Sequence, residues 1–265
     1  MQPVSAILFD LDGVLYVGDQ VIDGAAETLD YCRTKNIPFR FITNTSTRTA
    51  ADVANKLNAM GMNINVEEIF SAVTATRQFL LQQNKPSVHL LIRESAQADF
   101  QDFTQGTSQP DYVIVGDIGA AWNYELLNKV FRELMNGAEL IAMHKNKFWQ
   151  GEDGLQMDIG AFVAGLEFVS GKQARVIGKP SADFFKLATA SLDTPAARIM
   201  IVGDDIDNDV GGGQAAGLKG VLVKTGKYRE ELQERRKCHR MPLLIRSPTY
   251  RHCSKKANPD YTCGP

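Results

Sequence analysis

Apolar residues along this chain gather into short unbroken runs, and several of those runs stop abruptly at acids, hydroxyls or amides. Val4–Phe9, Pro38–Ile42, Ile199–Val202 and Gly220–Val223 have this form. Their near-continuous apolar character predicts strands buried on both faces. Helical spacing falls between them, over Ala25–Lys35, Thr47–Met60 and Ser181–Ser191, with Gly61 just after the second and Pro180 just before the third. Glycine beyond a helix end and proline at its opening are ordinary stop and start signals. The middle of the chain repeats the alternation, with strands predicted over Val88–Ile92, Tyr112–Val115 and Leu140–Met143 and helices over Tyr124–Asn136 and Ile159–Phe168. Strands that alternate with helices predict an α/β protein with parallel sheets. The expected organisation is a discontinuous Rossmann-like core, residues 1–78 and 175–232, with a smaller α/β domain, 79–174, inserted into it.

The polar ends of the runs carry the chemistry. Asp10 and Asp12 follow the first run two positions apart, so both carboxylates share a face if the strand continues through them. Two such acids repel each other unless a cation or a shared proton sits between them. Thr43-Asn44-Thr45-Ser46-Thr47 ends the second run before a helix. Free N–H groups at a helix N-terminus with a threonine hydroxyl make a ready anion site, and one of Thr45, Ser46 or Thr47 serves equally well as a simple N-cap. Lys179 stands between Gly178 and Pro180, either as a fixed cation for an oxyanion or as a solvated surface lysine. Gly203-Asp204-Asp205-Ile206-Asp207-Asn208-Asp209 ends another run with four acids within six residues, a density of hard oxygen ligands that suits Mg²⁺. A calcium loop on Asp205, Asp207 and Asp209 fails, because Val210 and Ala216 occupy its required glycine and acid positions. Gly211-x-Gly213-x-x-Ala216 matches a dinucleotide fingerprint only nominally, since an acidic loop intervenes after the strand and would repel a pyrophosphate. Ligands of open α/β sheets bind beyond the carboxyl ends of the strands, and all four features are expected on one such rim.

Asp10-x-Asp12-Gly-Val, Thr43-Asn44, Lys179-Pro180 and Gly203-Asp204-Asp205, in this order, closely resemble the four motifs of the haloacid dehalogenase superfamily of phosphotransferases. The long insertion between the second and third is similar to the C2-type cap of that family, and the resemblance covers about residues 4–230. It implies a Mg²⁺-dependent phosphatase acting on a small phosphorylated substrate (an ester, a phosphoamidate or pyrophosphate). Asp10 would be the nucleophile that becomes an aspartyl-phosphate, and Asp12 would protonate the leaving group and then activate water. Thr43 and the Asn44 backbone would bind the phosphoryl oxygens, and Lys179 would neutralise charge. Asp204 would hold the metal with Asp10 and the main-chain carbonyl of Asp12, while Asp205 and Asp209 would compete for an outer-shell place that spacing alone cannot assign. The resemblance also allows a homodimer through the cap. Phosphoryl transfer to an acceptor other than water and an idle binding protein on the same fold are the two alternatives. Within the cap, His144-Lys145-Asn146-Lys147-Phe148-Trp149 either touches a leaving group or forms an exposed hairpin, and Trp122 and Tyr124 read as cap core or dimer surface.

Composition narrows the partners. The 265 residues carry a net charge of −2, which gives no general attraction to nucleic acid. No apolar stretch reaches the length of a membrane span and no signal peptide is apparent. Four cysteines without metal-ligand spacing fit a reducing, cytoplasmic setting. The charge is unevenly spread: residues 235–265 hold eight Lys/Arg against one acid, leaving 21 basic and 30 acidic residues before them. Together with Cys238, Cys253 and Cys263, this marks 233–265 as an atypical basic tail, either an alternative ending or a divergent one.

Overall fold

The computed structural model describes residues 3–151 and 154–228, so the basic tail at 233–265 lies outside the described residues. In chain order the regular elements begin with β1 (Ala6–Asp10), β2 (Tyr16–Val17), β3 (Gln20–Val21), α1 (Ala25–Thr34), β4 (Phe39–Thr43) and α2 (Ala50–Ala59). They continue through β5 (Ile69–Ser71), α3 (Ala72–Gln82), β6 (Val88–Leu91), α4 (Glu94–Gln97), β7 (Tyr112–Val115), α5 (Tyr124–Met135) and β8 (Glu139–Ala142). The last are β9 (Phe148–Gly151), β10 (Gly154–Met157), α6 (Gly160–Ser170), β11 (Arg175–Val176), α7 (Ala182–Thr189), β12 (Ile199–Gly203), α8 (Gly212–Ala215) and β13 (Lys219–Leu222). The chain falls into two compact units, one comprising the described residues among 1–39, 60–62 and 194–265, the other 40–59 and 63–193.

In the first unit β12 lies between β1 and β13, parallel to both. Every residue of β1 is buried, as a strand covered on both faces requires. The register pairs Phe9 with Val202, which brings the carboxyl end of β1 level with that of β12. Helix α1 buries Ala25, Leu29 and Cys32, one stripe at helical spacing. Burial pushes the Cys32 thiol up to about 11, the nearby Arg33 charge opposing this only in part. Cys32 is therefore an inert core thiol.

In the second unit β4 pairs parallel with β5, and β11, β8, β7 and β6 form a four-stranded parallel sheet in that order. Helices α5 and α6 supply Val130, Leu134, Val163 and Leu166 to a core shared with Val113, Val115, Leu140 and Ala142 of the sheet. Asn123 opens α5 by accepting the Leu126 N–H, and Gly171, left-handed at φ 68°, closes α6. Trp122 stacks on Phe162 at 4.3 Å, Tyr124 is exposed, and Phe148 and Trp149 lie half-exposed on the β9–β10 hairpin.

Each of the seven expected strands has a described counterpart within two residues at each end, while β2, β3, β5, β9, β10 and β11 were not expected. One helix start is corrected. The predicted helix Thr47–Met60 opens only at Ala50, because Thr49 and Asp52 form a reciprocal cap. The Asp52 N–H donates to Thr49 Oγ1 at 3.1 Å, and Thr49 returns its own N–H and hydroxyl to the Asp52 carboxylate. None of Thr45, Ser46 and Thr47 is the N-cap, and the α2 N-terminus is closed by its own carboxylate. The β5–α3 pair was not anticipated, and α3 continues through residue 79, where the inserted domain was expected to begin. Among the described residues, no helix is long and apolar enough to cross a membrane.

Phe184 is fully buried on α7, its ring 5.2 Å from Phe70 and 5.7 Å from Phe185. Phe184→Ala is expected to lower stability by about 3–5 kcal/mol in urea unfolding. A loss below about 1 kcal/mol would show that this aromatic cluster does not hold the second unit together.

Candidate active site

Strand β1 delivers Asp10 at its last residue and β12 delivers Asp204 directly after its own. After Asp205 the chain enters a wide π-helical turn, Ile206–Gly211, in which the Val210 N–H reaches back to the Asp205 carbonyl at 3.2 Å. Turns of this kind are rare and recur at functional sites. This one carries Asp209 back towards the strand end. Asp10, Asp204 and Asp209 are buried, and each offers a carboxylate oxygen within 4.8 Å of the other two.

Glycines make room for this cluster. A Cβ at Gly203 would overlap Asp209, and one at Gly13 (φ 84°) would overlap the Asp204 carboxylate. Gly226 meets the same obstacle from the other side. Asp204 Oδ2 accepts the Lys227 backbone N–H at 2.6 Å, and Thr225 donates its hydroxyl to the Gly13 carbonyl, which ties the segment after β13 to the Asp12–Gly13 turn. Asp204 Oδ1 is buried and has no hydrogen-bond partner. Burial, reinforced by the charges of Asp10 and Asp209, pushes the Asp204 carboxyl up to about 8, the Lys227 N–H and charge only partly opposing it.

Three buried carboxylates with an orphaned oxygen among them call for a cation, and an all-oxygen set of this size suits a hard divalent ion. The residues present therefore fit a metal of the Mg²⁺ type.

The geometry separates Asp205 from Asp209. Asp205 accepts the N–H groups of Asp207 and Asn208 at 3.0 Å each and the Asn208 side-chain amide at 2.8 Å. Burial alone would raise its carboxyl, but the Asn208 bonds, the Lys227 charge and the Asp207 N–H together hold it below the usual range. Asp205 caps the turn, while Asp209 sits in the cluster and accepts the Asp205 N–H at 3.1 Å. Asp12 departs from the expectation that it shares a face with Asp10. The strand ends at Asp10, Leu11 is buried, and the chain turns through hydrogen bonds to the Leu11 carbonyl, leaving the Asp12 side chain exposed. That side chain lies outside the carboxylate cluster.

The second unit gathers another set. Thr43 ends β4 nearly buried, and its hydroxyl accepts the Thr45 N–H at 3.1 Å and hydrogen-bonds Thr45 Oγ1 at 2.8 Å. Lys179 is only 4% exposed, which excludes the solvated-lysine reading, and its backbone is hydrogen-bonded to the Asn44 side chain. The Lys179–Pro180 peptide bond is cis. Ser46, buried, accepts the Asp117 N–H at 3.2 Å and lies 3.4 Å from His144 Nε2. His144 is also buried, so it is no part of an exposed hairpin.

Comparisons with known proteins identify the family. Residues 7–104 match the family model of haloacid dehalogenase-like hydrolases, and residues 176–246 match a second model of the same hydrolases. The chain is 38% identical over 226 residues to haloacid dehalogenase-like hydrolase domain-containing protein 2 of Bos taurus, covering 85% of this chain and 86% of that protein. The chain belongs to the haloacid dehalogenase-like hydrolase family. It is also 35% identical over 236 residues to the phospholysine phosphohistidine inorganic pyrophosphate phosphatase of Danio rerio, covering 86% of each. Among solved structures, the 4-nitrophenylphosphatase of Thermotoga maritima matches with a TM-score of 0.84 at 27% identity, over 91% of this chain and 93% of that one. The match to residue 246 extends past residue 230, where the resemblance was expected to end.

The raised Asp204 carboxyl gives a signed pH dependence. Between its ordinary 3.8 and about 8, metal-free folded protein keeps a proton that the unfolded chain has released. Metal-free stability on this account falls as pH rises through that window. A cation at the carboxylates relieves the charge without a proton, so saturating Mg²⁺ is expected to raise the melting temperature more at pH 8 than at pH 5.5. Equal gains at the two pH values would remove Asp204 from the metal site.

Proposed function

We propose that this hydrolase is a Mg²⁺-dependent phosphatase that acts on a small phosphorylated substrate through an aspartyl-phosphate on Asp10. The observation that carries the reading is the buried Asp10–Asp204–Asp209 cluster with the orphaned Asp204 oxygen. It is supported by relatives named as phosphatases and by the family motifs in order along the chain.

Asp10, Asp204 and Asp209 would hold Mg²⁺ with the Asp12 carbonyl. When bound, the ion would neutralise charge on the carboxylates and on a phosphoryl group. The carboxylate of Asp10 attacks phosphorus, the bond to the leaving oxygen (nitrogen in a phosphoamidate) breaks, and the phosphoryl group becomes an acyl phosphate on Asp10. Asp12 donates its proton to that leaving atom in this step. It then takes a proton from the water that attacks the acyl phosphate, which releases inorganic phosphate and restores Asp10. Two covalent steps replace one difficult hydrolysis. An exposed Asp12 suits this duty, because it exchanges protons with solvent between the steps. Thr43 and the Asn44 backbone bind phosphoryl oxygens, and Lys179 offsets the repulsion between an anionic nucleophile and an anionic substrate. The substrate is a phosphate ester, a phosphoamidate or pyrophosphate.

Purified protein should hydrolyse an aryl phosphate with Mg²⁺ and lose that activity with a chelator. Asp10→Asn should lower kcat by at least about a thousandfold while the circular dichroism spectrum stays that of the parent. Turnover by a folded Asp10→Asn protein at the parental rate would refute the mechanism.

A further inference from the structure

The Thr43–Asn44 motif enters the proposed chemistry through its hydroxyl and its main chain, which leaves the Asn44 side chain without a task. The structure gives it one. Asn44 Nδ2 donates to the Lys179 carbonyl at 3.0 Å, and Asn44 Oδ1 accepts the Lys179 N–H at 2.8 Å. A single amide side chain thus engages both backbone groups of one residue, 135 positions along the chain. The paired bonds also fix which end of the amide is nitrogen, since a flipped amide would set donor against donor and acceptor against acceptor.

The neighbours keep that pairing tight. The Gly178 N–H donates to the Met143 carbonyl at 2.8 Å, at the end of β8. A Cβ at Gly178 would strike that carbonyl and come within 2.6 Å of Asn44 Oδ1. Lys179 itself is nearly buried. With its stem enclosed, the place of its ammonium group follows from the conformation of its own backbone more than from free rotation in water. Few side chains present a donor and an acceptor in one plane at the spacing of a peptide: Asp offers two acceptors, Ser one hydroxyl, Leu neither.

We infer that the Asn44 side chain is a positioning residue for Lys179, holding the lysine backbone so that its ammonium group stands where the transferring phosphoryl charge develops. This rests on the phosphatase reading of Lys179. The Asn44 side chain touches neither substrate nor metal in this role and acts only through the lysine. Misplacing a catalytic group by about 1 Å can cost on the order of a hundredfold in rate, which sets the size of the effect.

A double-mutant cycle on aryl phosphate hydrolysis tests the assignment. Asn44→Asp keeps the shape and replaces the donor to the Lys179 carbonyl with a repelling oxygen. It should lower kcat by about 10- to 100-fold with a much smaller change in KM. Lys179→Ala should lower kcat by at least as much. In the Lys179→Ala background, Asn44→Asp should cost less than about threefold more, because the group it positions is gone. The affinity of Asn44→Asp for inorganic phosphate by calorimetry should, like KM, change far less than kcat. Gly178→Ala, which pushes on the amide from outside, should reproduce the Asn44→Asp effect on kcat. If Asn44→Asp fails to fold, Asn44→Ser carries the cycle, since it removes the paired bonds without adding a charge. Independent effects that multiply in full would overturn the inference, as would parental kcat in a folded Asn44 variant. A folded Lys179→Ala protein at parental activity, with Asp10→Asn still inactive, would instead remove the lysine from the proposed chemistry and leave the nucleophile in place.

Discussion

Mutual repulsion among three buried carboxylates is the constraint on which the first unit depends. Asp10, Asp204 and Asp209 are brought within reach of one another where water cannot screen them. The parallel pairing of β1 with β12 levels two strand ends so that their terminal acids meet. The π-helical turn returns a third acid, and glycines at 13, 203 and 226 leave the space that the carboxylates fill. Each of these features is poor design for a core on its own terms. Together they are what a site that binds a hard cation needs, and burial with the neighbouring carboxylates pushes the Asp204 carboxyl up.

The second unit meets a different demand with neutral groups. The residues that follow β4, from Asn44 to Thr49, form a loop, and loops need anchoring. Ser46 is joined to the ends of β7 and β8 through the Asp117 N–H and His144, and Ser95 donates its hydroxyl to the Thr47 carbonyl at 2.7 Å. Ser46, His144 and Asp158 superficially assemble a serine–histidine–aspartate array. The serine is buried at 2% exposure and the histidine–aspartate separation is 3.9 Å, so the group serves as a buried brace. A rigid scaffold that fixes short functional loops is the usual division of labour in α/β proteins.

Much of this was legible in the residues. Unbroken apolar runs ending in acids gave the buried strands and the order of the site, because burial on both faces leaves no room for alternation. The start of α2 was not legible, since three hydroxyl residues in a row are each competent caps and the choice fell to Thr49 through Asp52. Ile69-Phe70-Ser71 is too short to display a period, so β5 escaped notice. Asp205 and Asp209 could not be ranked, because a turn wider than an α-helix rotates side chains away from the faces that ordinary spacing predicts. The glycine beside Asp204 was a usable signal: a residue without a side chain next to an acid marks a place where another group needs the volume.

The contact between Asp204 and position 227 differs in kind from the others. It comes from the main chain, so every residue except proline supplies it equally well. A lysine stands there, yet its identity is irrelevant to that bond. Importance and sequence signature are therefore uncoupled at this position. Comparison of residue types among relatives would pass over it, although its N–H meets the Asp204 carboxylate, which burial and its acidic neighbours push up.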